Sequence, residues 1–88
     1  MQEFLWTSHA VIEMRRRGIA AAAVKQVLDS PGQRLVVRAG REVWHSILPD
    51  GYLIRVVIDV DRNPARIVTV YRTSKVSKYW RRPDESDV

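Results

Sequence analysis

A chain of 88 residues has room for one domain around a single apolar core. It has no cysteine and only two histidines, which removes disulfides and cysteine nucleophiles and argues against a metal centre or another cofactor. Fifteen Lys and Arg side chains face ten Asp and Glu, for a net charge of +5.

Three of the acids, Asp84, Glu85 and Asp87, fall in the last five residues, where a terminal tail is expected to be loose. Residues 1–83 then carry 15 basic and 7 acidic side chains, a net +8. A field of that sign on so small a body suits nucleic acid or an acidic protein, with mere solubility as the competing explanation. We therefore expect a domain over residues 1–83 and a flexible acidic tail over 84–88. No apolar run approaches the roughly 20 residues that cross a bilayer. MQEFLWTSHA lacks a basic leader followed by an apolar stretch, so the expected location is cytoplasmic.

Gln2–Trp6 reads as a short strand or an extended arm that packs Phe4 and Trp6. Thr7 and Ser8 are N-cap types ahead of HAVIEMRRRG, where Ala10, Val11 and Met14 make an apolar stripe and Gly18 ends the helix. His9, Glu13 and Arg17 repeat at i, i+4 and i+8 along one face of it. IAAAAVKQVLDSPG reads as a second helix with Ile19, Ala23, Val24, Val27 and Leu28 inward, stopped by Ser30, Pro31 and Gly32.

The period then changes to two. Strands are expected over Arg34–Arg38, Arg41–Leu48, Tyr52–Val60 and Ala65–Tyr71, separated by turn residues short enough for an antiparallel meander. Tyr52, Ile54, Val56, Ile58 and Val60 form the face that helices must cover, which points Leu53, Arg55 and Val57 the other way. In Arg41–Leu48, parity separates Arg41, Val43, His45 and Ile47 from Glu42, Trp44, Ser46 and Leu48, and either set can face the helices. In the last strand Val68 and Val70 are the core-like pair, leaving Thr69 and Tyr71 on the open face with Arg55 unless a bulge intervenes. Ser74 can cap a short C-terminal turn through Val76, Tyr79 and Trp80. The expected fold is α+β, two N-terminal helices on a four-stranded antiparallel sheet, with a possible short C-terminal helix.

HAVIEMRRRGI, GREVWHSI, YLIRVVIDV and IVTVYRTSKVSKYW, in that order over about residues 4–80, resemble the small prokaryotic domain DUF4258. That family is grouped with RelE-like toxins and related metal-independent endoribonucleases of two-helix plus antiparallel-sheet fold. The resemblance implies that His9, Arg17, Arg41, Arg55, Thr69 and Tyr71 match its recurrent polar positions. It also implies cleavage of RNA by 2′-hydroxyl attack and a small antitoxin that covers the basic face. Ala20 departs from the pattern, since a Ser or Thr cap commonly follows RGI.

Such cleavage needs a base for the 2′-hydroxyl proton, cations for the phosphate and an acid for the departing oxygen. His9 or His45 suits proton transfer near neutral pH. Arg41 and Arg55 offer paired donors to a phosphate, Thr69 and Tyr71 offer hydroxyls, and Tyr71, Trp44 or Trp80 offers a ring for an unpaired base. We thus expect His9, Arg55, Thr69 and Tyr71 as catalytic residues and Arg17, Arg41, His45 and Trp44 as RNA-binding residues. Each also has a plain role: helix terminus for His9 and Arg17, strand packing for Thr69, and core or rim for the aromatic side chains. The alternatives are a nucleic-acid-binding domain without catalysis and a protein-interaction module whose apparent site is a relic.

Overall fold

The computed structural model describes residues 3–82; the acidic tail expected over 84–88 lies outside them. The elements run β1 (Phe4–Trp6), α1 (Ser8–Arg16), α2 (Ala21–Asp29), β2 (Gln33–Arg38), β3 (Arg41–Ile47), β4 (Leu53–Asp59), β5 (Ala65–Thr73) and α3 (Val76–Tyr79). The strands form one sheet in the order β1-β5-β4-β3-β2. The expected four-stranded antiparallel sheet is therefore corrected to a five-stranded mixed sheet. β2 to β5 make the antiparallel meander, and β1 adds to the outer edge of β5 in parallel, Leu5 opposite Arg66. Three residues are too few for alternation to mark them as a strand, yet they satisfy backbone groups that β5 would otherwise present at an open edge.

Thr7 joins this strand to the first helix. Its hydroxyl oxygen accepts from Ala10 N at 3.2 Å, capping α1, and its O–H donates to the Ile67 carbonyl at 2.7 Å. At the other end Gly18, at φ 65°, lets Ile19 N reach the Met14 carbonyl (2.8 Å) and its own N–H reach that of Arg15 (3.3 Å). That pair of bonds reverses the chain and buries Ile19 beside Met14. Ala20 makes no side-chain cap at the start of α2, in keeping with its departure from the Ser or Thr pattern.

Both helices cover one face of the sheet. Ala10 and Met14 of α1 and Val24 and Val27 of α2 pack with Trp44, Ile54, Val56, Ile58, Ile67 and Val70. Each fully buried aliphatic side chain contributes about 1.5–3 kcal/mol through area removed from water. In β4 Ile54, Val56 and Ile58 face the helices as expected, with Val60 packed beside them, but Tyr52, expected on the same face, precedes the strand and is exposed; β3 resolves to the alternative with Trp44 inward. β5 does not follow simple alternation: Ile58 pairs with Ile67, but Val57 pairs with Thr69, so Val68 is an extra residue. This bulge makes Ile67 and Val70 the inward pair in place of Val68 and Val70. A second irregularity between Val36 and Arg38 shifts β2 against β3.

Candidate functional site

The face of the sheet away from α1 and α2 carries a polar chain across three strands. His45 on β3 lies between Gln33 on β2 and Arg55 on β4, and Arg55 lies opposite Tyr71 on β5. His45 Nε2 is 2.8 Å from Gln33 Oε1, Arg55 Nε donates to His45 Nδ1 at 3.2 Å, and Arg55 Nη1 donates to the Tyr71 hydroxyl oxygen at 2.5 Å. The bond from Arg55 requires a lone pair on Nδ1. The ring proton therefore sits on Nε2 and is donated to Gln33.

His45 is completely buried. Burial, with the nearby Arg55 charge adding to it, lowers its pKa from 6.5 to about 4, so the ring is neutral at physiological pH. The cover comes from α3 and the residues after it. The Trp80 ring stacks on His45 with centroids 5.1 Å apart and planes at 14°, and Tyr79 lies under the Arg55 guanidinium at 4.2 Å. Gln33 accepts from Arg81 N at 3.1 Å and donates to the Arg81 carbonyl at 2.6 Å. The residue ahead of α3 is Lys75 rather than the expected Ser74, it makes no side-chain cap, and its backbone N donates to the Thr73 hydroxyl at 3.1 Å.

Arg55 differs from the other arginines of the expected site. Arg17 donates to Glu13 at 3.1 Å, and this bond draws the buried Glu13 carboxyl below its ordinary pKa. Arg41 grips Asp59 with Nε at 2.7 Å and Nη2 at 3.2 Å; that contact lowers the pKa of Asp59 and raises that of Arg41. Among the described residues Arg55 has no carboxylate partner, only the neutral His45 imidazole, the Tyr71 phenol and the Tyr79 ring. A half-buried guanidinium without a counter-ion is a place where an anion gains from pairing.

The structure brings together His45, Arg55, Tyr71 and, one pair further along β5, Thr69. Arg41 shares their face, but four residues from His45, roughly 13 Å along the strand, and its charge is taken by Asp59. Trp44 is in the helix-side core, edge-on to Phe4 at 5.6 Å, with its indole N–H donated to Glu42 at 2.9 Å. His9 and Arg17 are exposed in the helix layer and do not meet Arg55. Gln33 escaped the sequence reading, which began the strand at Arg34. The β2 bulge sets Gln33 opposite His45; an unshifted hairpin through Ala39 and Gly40 would put Arg34 there. Among the described residues there is no group of three His, Cys, Asp or Glu side chains placed to hold a metal ion, and no helix is long and apolar enough to cross a membrane.

No curated protein and no solved structure matches the chain significantly. One family model, described as Domain of unknown function (DUF4258), matches residues 6–72. The matched span holds Gln33, His45, Arg55, Thr69 and Tyr71 and ends before Tyr79 and Trp80. Covering well over half of the sequence, it establishes that this chain belongs to the DUF4258 family.

Proposed function

We propose that the open sheet face binds RNA and cleaves it by attack of a 2′-hydroxyl on the adjacent phosphate, as in RelE-like toxins. The supporting observation is Arg55, a half-buried cation whose hydrogen-bond partners are neutral. In this reading the guanidinium takes the scissile phosphate and stabilises the charge that builds as the 2′-oxygen attacks. Tyr71 already accepts from Arg55 through its oxygen, so its own O–H proton is available for the departing 5′-oxygen. As Arg55 turns to the phosphate it leaves His45 Nδ1 without a donor, and that atom then receives the 2′-hydroxyl proton. Thr69 adds a hydroxyl on the same side of β5. His9, in the other layer, is given no step. A small acidic antitoxin covering the basic face fits the same charge pattern.

Binding without cleavage is the second reading, favoured by the complete burial of His45 beneath Trp80. Incubating the purified chain with RNA in a chelator separates the two. Products ending in 2′,3′-cyclic phosphate, lost in Arg55→Ala, are expected from the nuclease. RNA shifted on a gel but left uncut supports the binding domain, and RNA ignored at low salt sinks both.

A further inference from the structure

Tyr79, Trp80 and the Arg81 backbone lie over the open face and cover Arg55, His45 and Gln33. Trp80 provides a fused two-ring plane stacked on the His45 ring, and the Gln33 amide meets the Arg81 backbone with one donor and one acceptor side by side. The slot is closely cut. A Cβ on Gly32 would lie 2.8 Å from the far edge of the Trp80 ring and 3.2 Å from the His45 carbonyl oxygen, so only glycine leaves room for the indole. The holding segment is weak by comparison: α3 has four residues, no side-chain cap and no buried residue. Short elements with few buried contacts open at low free-energy cost.

We infer that the slot holding Trp80 is a stacking site for an unpaired purine of an RNA strand, and that Trp80 is its displaceable occupant. The inference rests on the reading of this face as an RNA surface. Three features carry it. His45 supplies a flat neutral ring, which its Nε2 bond to Gln33 holds in plane when Arg55 turns to a phosphate. The Gln33 amide presents the donor and acceptor pair that the edge of any nucleobase can complement once Arg81 is withdrawn. Ring size then selects, because the space vacated by a bicyclic indole is matched by a purine and under-filled by a pyrimidine. Arg55, next to His45, is placed for the phosphate attached to the same nucleotide. Trp80 thus blocks the site in the absence of RNA and leaves as the base enters.

The test is fluorine NMR of the whole chain carrying 5-fluorotryptophan, with the Trp80 resonance assigned through Trp80→Phe. All-adenine and all-cytosine deoxyhexanucleotides are the probes; lacking the 2′-hydroxyl, they cannot be cleaved by this chemistry. The adenine strand is expected to move the Trp80 resonance to its solvent-exposed position while Trp6 and Trp44 stay fixed, and the cytosine strand to leave it in place. Trp80→Gly should bind adenosine monophosphate about tenfold more tightly than the parent chain and about tenfold more tightly than it binds cytidine monophosphate. Adding Gln33→Leu should remove about tenfold of that affinity. Oligonucleotide binding with an unmoved Trp80 resonance overturns the purine slot and leaves the RNA reading intact. Absence of binding at low salt overturns both, and failure to cleave RNA leaves a moved resonance as support for the slot. Should Trp80→Gly fail to fold, the parent-chain spectra decide alone.

Discussion

On the helix-covered side of the sheet, Trp44, Ile54, Val56, Ile58, Ile67 and Val70 pack against α1 and α2, whereas alternate residues of the same strands carry His45, Arg55 and Tyr71 on the far side. The first face is held by non-directional burial, so its members are interchangeable with other side chains of similar volume. The second is held by a directed chain of bonds from Gln33 to Tyr71, in which each donor has a named acceptor. Removal of one member there leaves another buried group unpaired. One strand, β4, thus serves as core wall and as candidate site wall at once, and the two faces should fail in different ways.

The largest effect is expected from the apolar face. Ile58→Ala should lower stability by about 3–4 kcal/mol in denaturant unfolding, because a fully buried side chain leaves a cavity that the helices cannot close. Near that in size is a pH effect confined to the polar face. Unfolded, His45 takes up a proton below pH 6.5; folded, it stays neutral until about pH 4. Its contribution is complete above pH 6.5 and is lost as the pH falls towards 4, about 3 kcal/mol in all. Urea unfolding at several pH values should show this slope, and His45→Gln should flatten it between pH 6.5 and about pH 5, below which the Glu13 and Asp59 carboxyls add a loss of their own; a parent chain equally stable at pH 7 and pH 4.5 would refute the buried neutral ring.

Tyr71→Phe probes the polar face alone, since it changes no volume of note and deletes only the oxygen that accepts from Arg55. It should cost about 1–2 kcal/mol in thermal unfolding and, on the proposed function, most of the RNA cleavage. The smallest effect is expected at His9, which is exposed on α1. His9→Ala should stay within about 0.5 kcal/mol of the parent chain and leave cleavage unchanged. Loss of cleavage in that variant would move the chemistry to the helix layer and break the assignment to the open face.

Much of the scaffold was legible because its causes are local. Thr7 as a cap, Gly18 as a stop and the alternation of Ile54, Val56 and Ile58 each depend on a few neighbouring residues, so the sequence shows them directly. From that same parity Arg55 could be sent to the open face, with Thr69 and Tyr71 to join it. His9 and Arg17 were a different matter, since helical spacing relates them to each other and says nothing of which side of the sheet receives them. Trp44 shows the same limit: parity grouped it with Glu42 and Ser46 but left the direction of that group to the packing.

The α+β class, the two helices with the Thr7 cap on the first, the meander and the two-sided character of β4 all follow from short-range periodicity and turn chemistry. The remaining features followed from pairing and packing between parts of the chain distant in sequence. Of the two readings of Gln2–Trp6, strand or extended arm, β5 selected the strand by offering an unpaired edge, Gln33 reached His45 because of the bulge at Val37, and Ile67 turned inward because Val68 was displaced from register. A one-residue shift reverses every side chain beyond it, and its placement depends on which pairing buries the most apolar surface across strands distant in sequence. The burial of His45 beneath Trp80 has the same origin, since only the completed sheet brings a terminal segment back over its third strand.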